Sequence, residues 1–174
     1  MNIWLKEISL DDDKTYYDLL MELTNYKNVY ARPVPEEFPY EEFKDFIKAR
    51  IRLKEGNTKI TPTTTYWVME DETPIGYATL KHKADPNKVG GHFGLCLKKE
   101  CQNKGIGLIV SNLLSDIAYH EFKIEDVIYT AKDENIQSQR SIEKIGGELI
   151  SIHDGFHFYS VNISKKYQET GKTK

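Results

Sequence analysis

The sequence predicts an α/β (α+β) fold in one domain, with a mixed central sheet of about seven strands and helices on both faces. Two observations support this prediction. The chain has 174 residues, a length that suits one ordinary domain and is short for two. Apolar residues alternate with polar ones in some segments, as in strands, and recur every three to four residues in others, as in helices. The predicted order is β-α-α-β-β-β-α-β-α-β-β, in which strands and helices are mixed.

The first half of the chain predicts a strand, two helices and a hairpin. Residues 3–8 alternate apolar and polar side chains, as a half-buried strand does. The acidic residues 11–13 offer N-caps for a first helix, and residues 40–55 place apolar side chains at helical spacing. Residues 64–69 and 75–81 flank a polar turn and are therefore predicted to form a hairpin.

The second half of the chain alternates strands with helices. A β-α-β order in this half predicts a locally parallel pair of strands. Asp154-Gly155 lies between the last two apolar runs and predicts a closing hairpin. The lysine-rich end, residues 166–174, is expected to be a frayed polar tail. The strands and helices before that hairpin are predicted over residues 92–97, 105–122, 127–131 and 136–145.

Composition and charge exclude several classes of protein. Lys and Arg total 24 against 27 Asp and Glu, a net charge of −3, whereas a global nucleic-acid binder is normally basic. Cys96 and Cys101 are the two cysteines, too few for a disulfide framework or a zinc site of their own, and we expect no metal. The sequence has no run of the ~20 apolar residues that a membrane helix needs, and residues 1–10 do not resemble a signal peptide. We therefore predict a cytoplasmic protein without nucleic-acid or membrane partners.

Two glycines at the start of the third predicted helix indicate a binding function. The strand that ends at Leu97 runs into a polar turn, and Gly105 and Gly107 open the helix. The first N–H groups of a helix lack intrahelical partners and the helix dipole adds positive charge, so an anion binds well there. Glycine also lets a phosphate approach the backbone closely. The pattern lacks the Gly-Lys-Ser/Thr of a P-loop and the glycine spacing of a dinucleotide site, and a plain helix start is the alternative.

The residues around these glycines resemble a known family. Gln102-x-x-Gly105-x-Gly107 resembles the acyl-CoA pyrophosphate motif, Gln/Arg-x-x-Gly-x-Gly/Ala, of the GCN5-related N-acetyltransferase (GNAT) superfamily. Residues 135–147 resemble the second motif of that family, an Asn-led helix that ends in Lys-x-Gly-Gly. The spacing of the two motifs and the predicted element order also fit. The resemblance is strongest over residues 64–150.

The resemblance implies a fold and an activity. The sheet would be V-splayed, with the strand over 92–97 separating from the strand over 127–131 and acetyl-CoA entering between them. The activity would be transfer of an acetyl group from acetyl-CoA to an amine of a small molecule, peptide or protein, by direct attack in a ternary complex. Residues 90–94, together with Ser138, are similar to a bacterial subgroup of poorly characterised acetyltransferases.

The resemblance assigns eleven residues to acetyl-CoA. Backbone groups of the strand before the first motif would pair with the pantetheine arm, and the turn with the helix start would surround the pyrophosphate. The start of the second motif would lie against the pantetheine. In that order the residues are Leu95 and Leu97; Gln102, Asn103, Lys104, Gly105, Ile106, Gly107 and Leu108; and Asn135 and Ser138.

The candidate catalytic residues come from positions where the chain departs from the family. Where many relatives have a glutamate base, this chain offers His92, whose imidazole titrates near neutrality; a structural histidine is the alternative. Where many relatives have a tyrosine acid, this chain has Ile142. Tyr129 is the candidate acid for the leaving thiolate, with Tyr159 or water as alternatives. Transfer through an acylated Cys96 is a lesser alternative.

The acceptor pocket is expected from the first two helices, the loop over residues 25–39 and the last hairpin. Tyr30, Arg32 and His157 are the candidate substrate-binding residues. Arg32 would suit a carboxylate, whereas the acidic residues of the loop would suit a cationic amine, and the sequence does not choose between them. The alternatives to an acetyltransferase are a non-catalytic CoA-binding sensor or interaction module and an acyltransferase for longer acyl-CoA. The late strands also allow a homodimer.

Overall fold

The computed structural model of the protein describes residues 2–26, 33–56 and 60–170. These ranges form seven strands, five α-helices and two short 3-10 helices, Tyr40–Glu42 and Lys99–Cys101. The order of the strands and of the first four α-helices is the order that the sequence predicts. In chain order the elements are β1 (Ile3–Glu7), α1 (Lys14–Thr24), α2 (Phe43–Glu55), β2 (Thr63–Glu70), β3 (Thr73–Lys81), β4 (Phe93–Leu97), α3 (Ile106–Phe122), β5 (Asp126–Lys132), α4 (Ile136–Lys144), β6 (Glu148–His153), β7 (Phe156–Asn162) and α5 (Ser164–Thr170).

The strands form two sheets. One has four strands in the order β1-β2-β3-β4, and the other has three in the order β5-β7-β6. β1 pairs antiparallel with β2, and β7 pairs antiparallel with both β5 and β6. The predicted mixed α/β fold with seven strands is confirmed. The β-α-β order predicted a locally parallel pair of β4 and β5, but these strands belong to different sheets.

The chain divides into two compact units. Unit 1 comprises residues 1–80 and 95–113, and unit 2 comprises residues 81–94 and 114–174. The prediction of a single domain over residues 1–165 stays a prediction. Within the described residues, no helix combines the length and the apolar composition that crossing a membrane would require.

Unit 1 has a core formed by α1, α2 and the central strands of its sheet. Asp13 caps α1 by accepting the Thr15 N–H at 2.9 Å, which agrees with the predicted helix start. Phe43 of α2 and Trp67 of β2 are fully buried. Asp12 is buried as well, and its carboxylate accepts the Trp67 indole N–H at 2.7 Å and pairs with the amine of Lys6. These partners compensate the cost of burying a charge.

Unit 2 has its core on the three-stranded sheet, where Val127 and Phe158 are fully buried. The end of the chain differs from the prediction of a frayed tail after residue 165, because α5 extends through Thr170. Tyr167 of α5 stacks on Tyr119 of α3 with 4.3 Å between ring centroids. The sequence analysis missed α5 because this helix is polar and is held by contacts with α3, which local spacing does not show.

Candidate functional site

The turn between β4 and α3 holds the first motif and has a tightly fixed start. The Lys98 N–H donates to the Ile75 carbonyl of β3 at 2.9 Å. The Gln102 side-chain amide donates to the Leu97 carbonyl at 3.0 Å. The Gln102 amide therefore closes the turn onto β4.

The path of this turn depends on two residues with left-handed backbone conformation. Asn103 has φ of 60° and Gly105 has φ of 79°. Glycine adopts such a φ without steric cost, and asparagine is among the side chains that tolerate it best. A Cβ placed on Gly105 would have no atom within 4 Å. Gly105 is therefore required for its backbone conformation and not for lack of space.

The start of α3 has backbone N–H groups without an acceptor inside the helix. The N–H groups of Leu108 and Ile109 both donate to the Gly105 carbonyl, at 3.1 and 3.3 Å. The N–H groups of Ile106 and Gly107 precede these bonds and so have no intrahelical acceptor. Residues 102–105 are exposed to solvent. An exposed turn that leads into the positive end of a helix dipole fits the phosphates of a CoA ligand.

The strand β4 flanks this helix start with apolar side chains. Leu95 is 41% exposed, and its Cδ2 would be 3.7 Å from a Cβ on Gly107. Leu97 and Ile106 are buried, so their side chains are not available to a ligand. Of the predicted donor-site residues in unit 1, the structure thus brings Leu95, Gly107 and the turn together at one surface.

Gly76 of β3 is a structural position next to this turn that the sequence analysis missed. A Cβ on Gly76 would lie 2.6 Å from Leu97 Cδ2 and 2.7 Å from the Cys96 carbonyl oxygen. Contacts this short are not compatible with any side chain at that position. An isolated glycine inside a strand pattern signals such close approach, and this signal was available in the sequence. Gly76 lets β4 lie close against β3.

His92 does not have the geometry of the predicted catalytic base. His92 is buried. Its backbone N–H donates to the Ile128 carbonyl at 2.8 Å, and its ring Nδ1 accepts the Ile128 backbone N–H at 2.9 Å. Burial, with the charge of Lys81 as a second cause, lowers the pKa of His92 to about 4. The ring is therefore neutral near pH 7, its Nδ1 is occupied, and its role in this structure is to join the start of β4 to β5.

The glycines before His92 explain why this junction forms. A Cβ on Gly91 would be 2.3 Å from the Ile128 carbonyl oxygen, and the φ of Gly91 is 47°. The Gly90 N–H donates to the Thr130 hydroxyl at 3.1 Å. The Gly90-Gly91-His92 sequence thus serves close backbone contact with β5 within unit 2.

The two tyrosines considered as acids lie side by side on the three-stranded sheet. Tyr129 of β5 is opposite Tyr159 of β7 in the register, and the Tyr129 ring packs edge-on against Phe93 at 5.4 Å. Tyr159 is 1% exposed, and its hydroxyl lies 3.4 Å from Glu143 Oε1. Burial and, secondarily, the charge of Glu143 raise the pKa of Tyr159. The role of Tyr129 stays a prediction, and the buried position of Tyr159 disfavours that alternative.

The second motif forms the turn before α4 and the helix itself. Asn135 caps α4, since its Oδ1 accepts the Ser138 N–H at 3.1 Å. The cap uses the side-chain oxygen, so the Asn135 side chain has its NH₂ donors to offer a ligand. Gln139 is a residue that the sequence analysis missed. Its side-chain amide donates to the carbonyls of Lys132 and Asp133 at 2.9 Å each and fixes this turn.

The position of the absent family tyrosine is part of the core. Ile142 is buried, and a Cβ on Gly147 would be 2.5 Å from its Cγ2. The Gly147 N–H donates to the Ile142 carbonyl at 3.0 Å and closes the helix. The predicted helix end at the paired glycines is thus seen in the structure, and Ile142 offers no proton to a thiolate.

Of the three candidate substrate-binding residues, the structure describes His157. Tyr30 and Arg32 lie outside the residues that the structure describes. His157 of β7 places its Nε2 3.2 Å from Asp133 Oδ1, and its Nδ1 lies 3.4 Å from the Tyr159 hydroxyl. These contacts attach β7 to the turn before α4, and the substrate role of His157 stays a prediction.

The remaining candidates concern metals and a covalent route. Among residues 2–26, 33–56 and 60–170, no group of three His, Cys, Asp or Glu side chains is arranged to hold a metal ion. Cys96 and Cys101 are free thiols. Burial raises the pKa of the Cys96 thiol to about 11. A thiol that stays protonated at neutral pH is a poor nucleophile, which disfavours transfer through Cys96.

Comparison with known proteins now identifies the family. The profile of the GNAT acetyltransferase domain matches residues 2–148. This chain belongs to the GNAT acetyltransferase family. A search of curated proteins found no significant match.

Solved structures of GNAT proteins share the fold of this family member at low sequence identity. The Campylobacter jejuni N-acetyltransferase PseH in complex with acetyl coenzyme A matches with a TM-score of 0.65 and 15% identity, over 93% of this chain and 99% of that one. FdhC, a nucleotide-linked sugar GNAT, matches with a TM-score of 0.68 and 17% identity, over 97% of this chain and 90% of that one. A chimera of the Vibrio cholerae spermidine N-acetyltransferase SpeG with hSSAT matches with a TM-score of 0.66 and 17% identity, over 97% of this chain and 99% of that one. At these identities the matches concern the fold alone.

Proposed function

We propose that this protein is an acetyl-CoA-dependent N-acetyltransferase. The observation that carries the proposal is the exposed turn over residues 102–105, which leads into the start of α3, where the first N–H groups have no intrahelical acceptor. Asn103 and Gly105 hold this turn in a left-handed backbone conformation. In the proposed reaction a neutral amine nitrogen attacks the acetyl carbonyl carbon, the C–N bond forms, and the C–S bond breaks. The nitrogen gives up one proton, and CoA leaves as a thiolate that takes up one proton.

The donor-binding roles are shared between side chains and backbone. The N–H groups of Ile106 and Gly107 bind phosphate oxygens, and Lys104 adds positive charge beside them. Leu95 gives the pantetheine arm an apolar wall, while the backbone of Leu97 pairs with its amides. In unit 2, the proposal retains the NH₂ group of Asn135 and the Ser138 hydroxyl as pantetheine contacts. The remaining predicted positions, Gln102, Asn103, Gly105 and Leu108, shape and border the turn.

We propose fewer residues for the proton transfers than the sequence suggested. Because His92 is neutral with Nδ1 occupied, the proposal leaves it out of catalysis. The acceptor ammonium then loses its proton before attack, to water or to a group of the acceptor. Tyr129 is retained as the candidate acid for the thiolate, with water as the alternative. The observed rate is therefore expected to follow the ionisation of the acceptor amine.

The acceptor is proposed to be an amine of a small molecule, peptide or protein. Two GNAT proteins of similar fold are named for nucleotide-linked sugars and for spermidine, so the fold accepts chemically different amines. Release of CoA thiol from acetyl-CoA, followed with a panel of amino sugars, polyamines and N-terminal peptides, tests the class. The same panel with longer acyl-CoA donors tests the alternative of a broader acyltransferase.

A second function, a CoA-binding sensor or interaction module without catalysis, is favoured by two observations. The family tyrosine is replaced by the buried Ile142, and His92 is engaged in the sheet. Tight acetyl-CoA binding without thiol release for any amine would support this alternative. We also propose a cytoplasmic setting and a homodimer. The free thiols of Cys96 and Cys101 fit that setting.

Calorimetric titration with acetyl-CoA, compared with ADP, tests the donor site. We expect Gly105→Val to weaken acetyl-CoA binding by about tenfold or more, because a β-branched residue cannot keep the left-handed φ that aims the donors. Gly155→Val is the matched control. Gly155 has φ of 76°, and like Gly105 it has no atom within 4 Å of an added Cβ, but it lies in the β6–β7 turn. Absence of acetyl-CoA binding to the wild type at millimolar concentration would refute the proposal.

A further inference from the structure

Tyr26, just after α1, contacts the start of the turn that leads to the donor site. Its hydroxyl donates to Glu22 Oε1 at 2.7 Å and accepts the Lys99 N–H at 3.0 Å. The second carboxylate oxygen of Glu22 lies 3.4 Å from the amine of Lys98. Lys98 and Lys99 directly precede the residues of the first motif. A single cluster therefore joins the end of α1 to this segment, 73 residues further along the chain.

The direction of each hydrogen bond in this cluster is fixed. A backbone N–H can only donate, so the Tyr26 oxygen is the acceptor for Lys99 and its own proton goes to Glu22. Burial, with the Glu22 hydrogen bond as a second cause, raises the pKa of Tyr26 to about 12. Tyr26 thus stays protonated across the physiological pH range. Glu22 orients the hydroxyl so that a lone pair faces Lys99.

The same segment is held from two other directions. The Lys98 N–H is bound by the Ile75 carbonyl of β3, and the Lys98 carbonyl accepts the Cys101 N–H, both at 2.9 Å. These bonds fix Lys98 on the sheet side and along the 3-10 helix. The Lys99 N–H, as the first donor of that helix, has no acceptor within it. The Tyr26 hydroxyl supplies this acceptor from outside.

We propose that Tyr26 is a positioning residue of the donor site, whose hydroxyl holds Lys99 so that the turn over residues 98–105 keeps the conformation that receives the pyrophosphate. This inference rests on the proposed acetyl-CoA function of that turn. Tyr26 is not a catalytic residue here, because its hydroxyl is used by Glu22 and Lys99. Its effect on acetyl-CoA binding is transmitted through the backbone of the turn.

The test is the variant Tyr26→Phe, which removes the hydroxyl and keeps the ring. Loss of one hydrogen bond at a partly exposed site predicts a dissociation constant for acetyl-CoA raised about fivefold in calorimetric titration. Hydrogen–deuterium exchange should become faster for amides of residues 99–107 and stay unchanged in β1 and β2. A residue that only supports global stability would not give this local change. Tyr40→Phe is the matched control, because Tyr40 contacts Tyr17 and Phe43 through its ring.

Glu22 variants test the orientation of the hydroxyl. Glu22→Gln retains an oxygen that can accept from Tyr26 and should bind acetyl-CoA within about twofold of wild type. Glu22→Ala removes that acceptor and should reproduce part of the Tyr26→Phe loss. In the double variant Tyr26→Phe/Glu22→Ala the two losses should be less than additive, because both act through one hydroxyl.

The outcomes separate this inference from the proposed function. If the wild type binds acetyl-CoA and Tyr26→Phe binds it equally well, with unchanged exchange over residues 99–107, Tyr26 is not a positioning residue. The same conclusion follows if exchange in Tyr26→Phe rises equally throughout unit 1. If the wild type does not bind acetyl-CoA, the proposed function has failed, while the exchange measurement still reports whether Tyr26 holds the turn.

Discussion

His92 is a residue whose chemistry is decided by its neighbour on β5. The Ile128 N–H occupies Nδ1, and the surrounding burial lowers the pKa of the ring to about 4. A histidine with an open nitrogen and an ordinary pKa is a good base near neutrality. Here the Ile128 contact occupies Nδ1, and burial lowers the pKa. The residue type was compatible with catalysis, but its environment assigns it to structure.

A pair of substitutions at His92 separates the two roles. We expect His92→Asn to keep most of the stability, because the Asn carbonyl can accept the Ile128 N–H. His92→Leu should lower the free energy of unfolding by about 1–3 kcal/mol, because that buried N–H loses its acceptor. Urea unfolding measures both values. A fall of about a hundredfold in kcat for His92→Asn at unchanged stability would return His92 to the catalytic residues.

The pH dependence of stability gives a second measurement on the same residue. The folded-state pKa of His92, about 4, lies below its ordinary value of 6.5, so the unfolded chain binds the proton more tightly. The contribution of His92 is therefore complete above pH ~6.5 and is lost as the pH falls from 6.5 toward 4, at ~1.4 kcal/mol per pH unit. Comparing wild type with His92→Asn between pH 7 and 4 isolates this slope. Equal slopes in the two proteins would contradict the assignment.

At the scale of elements, the start of α4 combines a structural and a binding role in one side chain. The oxygen of Asn135 caps the helix, and its NH₂ group is proposed to bind the donor. An aspartate in this position keeps the capping oxygen and removes the donors. An alanine removes both. The two functions of Asn135 can therefore be measured separately.

We expect Asn135→Asp to unfold at the temperature of the wild type or slightly above, because an acidic residue at a helix N-terminus is favourable. It should nevertheless bind acetyl-CoA several-fold more weakly. Asn135→Ala should lose about 1 kcal/mol of stability as well as affinity. Thermal unfolding and calorimetric titration of the same samples provide the comparison. Wild-type affinity in Asn135→Asp would show that the NH₂ donors do not contact the ligand.

The sequence predicted the elements well because their signals are local. Alternation, helical spacing and the paired glycines gave seven strands and four helices in the correct order. The misses have contacts that are distant in sequence: α5 is held by Tyr119, His92 by Ile128, and Tyr26 reaches Lys99 across 73 positions. No spacing rule reports such contacts. The first motif was located correctly, but the inward turn of the Gln102 amide depends on the path of the backbone.

At the scale of the whole molecule, the three-stranded sheet ends in a strand with an unusual surface. β6 is an edge strand in the order β5-β7-β6. Leu149 is 51% exposed, Ile150 46% and Ile152 56%. Because neighbouring residues of a strand point to opposite faces, apolar side chains are exposed on both faces of this edge. Monomeric proteins usually protect such an edge with charges, proline or a covering segment.

We therefore propose that β6 pairs with β6 of a second copy in a two-fold homodimer, since a self-complementary edge satisfies its own backbone groups and apolar side chains. Ile152→Lys should convert the protein to a monomer in sedimentation-velocity analysis, because a charge on each copy would be brought into the contact. Leu10→Lys is the control, since Leu10 is also 51% exposed but lies in the turn before α1. A monomeric wild type at micromolar concentration, or a dimer that persists in Ile152→Lys and dissociates in Leu10→Lys, would exclude this interface.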